Sequence, residues 1–169
     1  GEWRTVKLVQ YMPMVFGLRK KILQSGEIKD IHASVVYRQE IEAGLFVYEE
    51  GTERMLRHKP LLDPSFEPVD DDIAAAYSVA TLTDGSMVFE VMRRAEINKI
   101  RQMSQTGAIG RTVQFGPKKG EPIEPKGPWV DWFSEMAKKS VIRRHAKTLP
   151  MSGDLIDMAL DGDRVTITY

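Results

Sequence analysis

AAYSVATLTDGSMVFEVM, residues 75–92, gives the clearest signal of secondary structure in this sequence. Two alternating runs, 75–83 and 86–92, flank the dipeptide Asp84-Gly85. Asp-Gly between such runs is a strong short-range signal for a β-hairpin, because the turn needs residues that accept a positive φ. The stretch therefore predicts two antiparallel strands joined by a tight turn.

Further strands are predicted on the N-terminal side of this hairpin. Residues 3–11 alternate enough for a strand, and so do residues 31–37, while residues 45–48 form a shorter one. The second and third of these are predicted to pair antiparallel through a loop around residues 42–44. Residues 60–72 contain three prolines and end in Asp70-Asp71-Asp72, so they are predicted to form a loop.

Helices are predicted on both sides of the strands. Pro13 opens one that Gly26 closes, and a second runs from about Ala95 to Ser104 with Ile97 and Ile100 facing inward. Glycines, prolines and lysines mark residues 106–127 as a long, mobile loop. The predicted fold class is α+β, an antiparallel β-sheet of hairpins packed with helices.

The segment GPWVDWFSEMAKKSVIRRHAKTLP, residues 127–150, predicts a helix after a turn-forming entry. Three of its cations are four residues apart and share a face: Lys139, Arg143 and Lys147. A separate apolar stripe at the same spacing, Phe133, Ala137 and Val141, can dock on a core. The basic face is either a surface for a polyanion or an ordinary solvated helix face, and the spacing alone leaves both open.

Composition limits the class of protein. The 169 residues, 42% of them hydrophobic, predict a single domain over residues 1–169. The absence of cysteine excludes disulfides, thiolate metal sites and cysteine nucleophiles, and fits a reducing compartment. No apolar run approaches the roughly 18 residues of a spanning helix, so we expect a cytoplasmic protein that makes no membrane contact.

Charge is segregated along the chain although the formal net charge is 0. Residues 1–92 carry 10 Lys/Arg and 15 Asp/Glu, residues 93–147 carry 13 and 5, and residues 148–169 carry 1 and 4. The three parts therefore have net charges of −5, +8 and −3. Such segregation suits a phosphate-binding surface, and it also suits contact between the acidic and basic faces of neighbouring subunits.

Signatures of catalysis are not found in the sequence. No phosphate-binding loop of the form G-x-x-x-x-G-K-[ST] occurs, so no ATP-driven motor of that type is expected. The three histidines are far apart and are interpreted as ordinary surface or half-buried residues: His32, His58 and His145. We expect no catalytic residue, no metal site and no cofactor.

Two blocks, residues 76–105 and 126–150, resemble the core of the RecT family of phage single-strand annealing proteins. The positions that carry the resemblance are Tyr77, Val79, Gly85, Phe89, Glu90, Val91, Met92, Gly127, Pro128, Trp129, Glu135, Met136, Ala137, Lys138, Lys139, Ile142, Arg143 and Arg144. Looser similarity runs back to about residue 5. His145 stands where a bulkier apolar residue is expected, and the family's N-terminal helices and acidic C-terminal tail are not recognisable.

The resemblance implies a RecT/Redβ-like core that binds single-stranded DNA and anneals it to a complementary strand without ATP. It also implies homo-oligomeric rings or helical filaments, an annealed duplex intermediate, a cognate phage exonuclease as partner, and a bacterial host cell. Residues predicted to contact DNA are the cations Lys138, Lys139, Arg143, Arg144, Lys147, Arg93, Arg94, Arg101 and Arg111, and the aromatic residues Trp129, Trp132 and Tyr11. The aromatic residues can instead belong to the core.

Two other functions stay open at this point. A metal-dependent nuclease would use Asp70–Asp72 and Glu90 with a lysine, although such sites draw carboxylates from separated elements and three adjacent aspartates are more typical of a solvated turn. A protein-interaction module would dock its basic helix on an acidic partner.

Overall fold

A three-stranded antiparallel sheet forms the centre of the computed structural model, which describes residues 12–154 and 156–157. Its strands are β1 (Ile28–Tyr37), β4 (Ile73–Leu82) and β5 (Met87–Arg93), with β4 in the middle. A separate two-stranded sheet contains β2 (Phe46–Glu49) and β3 (Met55–His58). The helices are α1 (Met12–Gln24), α2 (Arg38–Glu42), α3 (Arg94–Gln102), α4 (Pro128–Asp131) and α5 (Phe133–Ala146). The α+β class is confirmed.

The hairpin predicted around Asp84-Gly85 is confirmed as β4 and β5. Thr81 lies opposite Met87 in the ladder, and Gly85 adopts φ 87°. The Asp84 carboxylate accepts hydrogen bonds from the backbone N–H of Ser86 at 2.8 Å and from its hydroxyl at 2.6 Å. The turn chemistry therefore fixes the register of the two central strands.

The predicted pairing of residues 31–37 with residues 45–48 is wrong. β1 pairs with β4 instead, and β2 pairs with β3, a strand that the sequence analysis missed. The short helix α2 follows β1 directly and turns the chain away before β2 begins. Because β3 has only four residues, its periodicity is too short to give a clear signal.

Helices α1, α3 and α5 cover one face of the central sheet. Small residues of β4, namely Ala76, Ser78 and Ala80, let α5 approach closely. The predicted stripe of α5 is confirmed, since Phe133, Ala137 and Val141 are all buried. In α3 the prediction holds for Ile97, which is 0% exposed, and fails for Ile100, which is 36% exposed. Helix α3 ends at Gln102 and presents only a narrow apolar stripe.

The β2–β3 hairpin covers part of the opposite face of the sheet. Phe46 and Leu56 pack on a small cluster formed by Val36, Ala75 and Tyr77. The rings of Phe46 and Tyr77 stack with centroids 5.8 Å apart. The central strand β4 is thus buried on both faces.

A buried carboxylate ties the β2–β3 hairpin to the rest of the fold. Glu40 accepts hydrogen bonds from the backbone N–H groups of Tyr37 and Leu61, each at 2.9 Å. His58 Nε2 lies 3.1 Å from the same carboxylate, and its Nδ1 lies 3.1 Å from the Tyr77 hydroxyl. Glu40 and His58 side chains are each 3% exposed, while His58 as a whole residue is half-buried, which agrees with its interpretation as a surface or half-buried residue.

Some predictions fall outside the described part of the chain. The strand predicted over residues 3–11, with the candidate Tyr11, lies outside the described residues. Among those that are described, no helix is both long enough and apolar enough to cross a bilayer.

Candidate nucleic-acid interface

The cations of α5 keep their helical spacing but differ in accessibility. Helix α5 buries eight of its fourteen residues, among them Lys139, which is 9% exposed. Arg143 is half-buried, whereas Lys147, directly after the helix, is exposed. Lys138 forms an ion pair with Glu135 at 2.8 Å. The row of cations is therefore accessible mainly toward the C-terminal end of the helix.

Arg144 is held by two carboxylates. Its Nε lies 2.6 Å from Glu90 and its Nη1 lies 2.6 Å from Glu96. The pKa of Glu96 is lowered, first by the hydrogen bond from the Arg93 backbone N–H and then by Arg144. The same carboxylates raise the pKa of Arg144. Arg144 joins α5 to β5 and α3, and its charge is already balanced.

Arg94 is half-buried and packs on a core aromatic ring. Its guanidinium carbon lies 4.0 Å from the centroid of the Phe133 ring, and Nη1 donates to the carbonyl oxygens of Asp70 at 2.6 Å and Ile73 at 3.1 Å. Burial is the main cause that lowers the pKa of Arg94. This arrangement anchors residues 70–73 on α3 and leaves few donors for a phosphate.

Two further predicted cations hold the loop that follows α3. Arg101 donates from Nε to the carbonyl of Gly107 at 2.9 Å, and Arg111 donates from Nη1 to the carbonyl of Gln105 at 2.5 Å. Arg111 remains exposed to solvent, whereas Arg101 is half-buried. Both side chains therefore position the loop, and Arg111 keeps part of its guanidinium accessible.

The carboxylates of the nuclease alternative do not converge. Asp72 lies 3.3 Å from Arg38 and accepts a hydrogen bond from Gln39 at 2.7 Å, whereas Glu90 pairs with Arg144. Asp71 is exposed and lies 3.8 Å from Arg94. Within residues 12–154 and 156–157, no group of three or more His, Asp or Glu side chains is placed to hold a metal ion. A two-metal nuclease needs such convergence.

The two predicted tryptophans occupy different environments. Trp129 is 5% exposed and packs edge-on against Phe133, with ring centroids 5.8 Å apart. A Cβ added at Gly107 would lie 2.7 Å from the Cβ of Trp129, so only glycine allows the loop to pass so close. Trp132, by contrast, is 45% exposed. Trp132 can offer a ring face to a base, and Trp129 is a core residue.

His145 fills a core position between α5 and β4. It is 1% exposed, and its Nδ1 lies 2.9 Å from the Ser78 hydroxyl. Burial lowers the pKa of His145 to about 4, so the ring is neutral at pH 7. The surface or half-buried interpretation is thus wrong for His145, while His32, whose side chain is 52% exposed, agrees with it.

Several accessible cations belong to residues 93–147, called here the basic segment. They are Arg93, Lys99, Lys118, Lys119, Lys126 and Lys147. Of these, Lys99, Lys118, Lys119 and Lys126 are not among the predicted DNA contacts. The place of Lys99 on the polar side of an amphipathic helix is a usable signal. The apolar residue Phe115, 88% exposed in the loop, was missed as well.

The chain is similar to known proteins over most of its length. The sequence model of the RecT family matches residues 2–164. The chain is also 36% identical to Protein RecT of Escherichia coli (strain K12) over 129 residues, which is 76% of this chain and 38% of that protein. The chain thus spans well under half the length of this curated relative.

Proposed function

The chain belongs to the RecT family, and from this premise we propose that it binds single-stranded DNA and anneals complementary strands without ATP. The observation that supports the proposal most is the placement of the basic segment. Residues 93–147, with 13 Lys/Arg and 5 Asp/Glu, supply α3, α4 and α5, and these helices pack together beside one face of the sheet. The part of the chain richest in positive charge thus supplies helices that cover one face of the sheet, which supports the proposal.

Binding would rest on phosphate contacts. Neutralising phosphates releases counterions, which gives affinity that does not depend on base sequence and falls with salt. We assign this role to the accessible cations of the basic segment together with Arg143 and Arg111. Contacts to phosphate and sugar leave base edges free, as pairing with a second strand requires.

Annealing without ATP would be driven by base pairing itself. A small single-strand binding module covers about 4 to 16 nucleotides, so testing complementarity over a longer stretch requires several subunits on one strand. A homo-oligomeric ring or filament is therefore part of the proposal, and so is action beside a cognate phage exonuclease in the bacterial cytoplasm. The excess of Asp/Glu over Lys/Arg before Arg93 and after Lys147 would supply negative charge for contact with a neighbour's basic segment.

The proposal is tested by mixing the protein with two complementary oligonucleotides, one labelled, without nucleotide cofactor. We expect faster formation of full-length duplex than in protein-free controls, and binding of the single strand that weakens as salt rises. A second sample with magnesium and one strand reports nuclease action through shortened product. Absence of strand binding at low salt, or shortened product in place of duplex, would contradict the proposed function.

Oligomer formation is measured in the same system by mass photometry or electron microscopy, with strands added in turn. We expect larger and longer-lived assemblies after the second strand, because it adds phosphates and base pairs that bridge subunits. Annealing at full rate by monomers bound one per oligonucleotide would rule out the oligomer while leaving strand binding intact.

A further inference from the structure

The loop between α3 and α4 contains a small hairpin of its own, residues 111–123, called here the loop hairpin. Val113 donates its N–H to the carbonyl of Glu121 at 2.9 Å, and Ile123 donates to the carbonyl of Arg111 at 2.8 Å. Thr112 forms a bridge with Pro122. Residues 114–120 form the tip of the loop hairpin, so their side chains are carried by a hydrogen-bonded stem.

The tip combines an aromatic ring with cations. Phe115 is 88% exposed, so its ring is open to a ligand from solvent. Lys118 and Lys119 are exposed three and four residues further on. Gly116 and Gly120 adopt φ 86° and 91°, so the chain folds back tightly on either side of the lysines. An open groove of about 570 Å³ runs beside the ring, lined by Gly110–Phe115 and Ile123.

We propose that the tip of the loop hairpin is a stacking site for an unpaired base, with Phe115 against the base and Lys118 and Lys119 on the adjoining phosphates. This inference rests on the proposed function, because it names where in the chain a single strand is held by its bases. A base offers a flat π face to an aromatic ring whatever its identity, and stacking of this kind tolerates any sequence.

Charge favours nucleic acid over an apolar protein surface as the occupant. Residues 106–127 carry four cations, namely Arg111, Lys118, Lys119 and Lys126, against two carboxylates, Glu121 and Glu124. An apolar protein contact would bury these lysines without phosphates to balance them, which is costly. A polynucleotide supplies both a base that can stack on Phe115 and phosphates that balance the lysines.

The site would also distinguish single strands from duplex. In a duplex both faces of each base are covered by neighbouring bases, so Phe115 would have to compete with base stacking. Completion of pairing would therefore release the base from the ring while the phosphates stay within reach of the lysines. The tip would hold a strand before pairing and loosen its hold afterwards.

The experiment compares Phe115→Ala with wild type on two fluorescent strands of equal length, an oligothymidylate and a backbone that lacks bases. Phe115→Ala should weaken binding to the oligothymidylate about tenfold, the scale of one lost base–aromatic stack. Binding to the strand without bases should be unchanged. Lys118→Ala with Lys119→Ala should weaken binding to both strands alike, since phosphates are common to both.

The matched control is Leu62→Ala, which removes an apolar side chain of nearly equal exposure, 87% against 88%, from a different loop. It should leave binding to both strands at the wild-type level. An equal loss on both strands for Phe115→Ala would overturn the stacking site while leaving strand binding by the protein intact. Smaller assemblies of Phe115→Ala without DNA would overturn it in favour of a subunit contact. Failure of the wild type to bind either strand would overturn both this site and the proposed function.

Discussion

Arg94 and Phe133 form a cation–π pair, with the guanidinium carbon 4.0 Å from the ring centroid. Phe133 is 2% exposed at the start of α5, and Arg94 begins α3. A cation of the basic segment therefore fastens two of the helices that carry the other cations. Cations of the basic segment therefore have different roles. Arg94 holds α3 against α5, whereas the exposed cations are accessible to a ligand.

Replacing Arg94 by Ala should lower the free energy of unfolding by about 2 kcal/mol, because a half-buried cation–π contact and the hydrogen bonds to two carbonyl oxygens are lost together. Urea unfolding followed by circular dichroism measures the change. Arg93→Ala, one residue away and exposed, is the control and should change stability little. Equal stability of the two variants would show that the Arg94 contacts do not hold α3.

Replacing Arg143 by Ala should weaken single-strand binding for all sequences alike and reduce the slope of log affinity against log salt by about 0.7, the value for one phosphate contact on a single strand. Fluorescence anisotropy over a salt series gives the slope. Arg57→Ala is the control, because Arg57 is exposed on β3, in the hairpin that covers the opposite face of the sheet. An unchanged slope in folded Arg143→Ala would remove this residue from the interface.

Replacing Glu40 by Gln should lower the free energy of unfolding by about 2 to 3 kcal/mol. A carboxylate accepts from both Tyr37 and Leu61 on separate oxygens, whereas an amide has one oxygen and would turn its NH₂ group toward one of these donors. Glu42→Gln, exposed in the same helix, should be near neutral. Chemical denaturation of both variants decides the matter, and indistinguishable midpoints would contradict the role of Glu40.

His145 should make the protein less stable in mild acid. Burial depresses its pKa to about 4 from 6.5, so between these values the unfolded chain binds a proton that the folded chain does not. Stability therefore falls as pH drops from 6.5 toward 4, by roughly 3 kcal/mol over the whole window.

His145→Gln should flatten the fall in stability, whereas His32→Gln, which removes an exposed histidine, should retain it. Unfolding free energies measured at pH 7 and pH 4.5 test this. A pH dependence in His145→Gln equal to that of wild type would assign the effect to other groups.

The hairpin of β4 and β5 and the inner stripe of α5 were predictable from sequence, because both are local patterns. Asp84-Gly85 supplies its own turn chemistry, and Phe133, Ala137 and Val141 repeat at the period of a helix. The pairing of β1 with β4 was not predictable in this way, since the two strands are separated by more than thirty residues. Strand pairing depends on packing between distant segments, which the periodicity of a single strand does not reveal.

The candidate interface, like the fold, was only partly predictable from sequence. The concentration of cations in residues 93–147 and their helical spacing in α5 follow from sequence alone, because composition and periodicity are properties of the chain. Folding establishes which of these cations are balanced: Arg144 by Glu90 and Glu96, Arg94 by Phe133 and two carbonyl oxygens. A charged side chain looks the same in sequence whether it meets water or a carboxylate, and the difference arises when distant segments are brought within a few ångströms of each other.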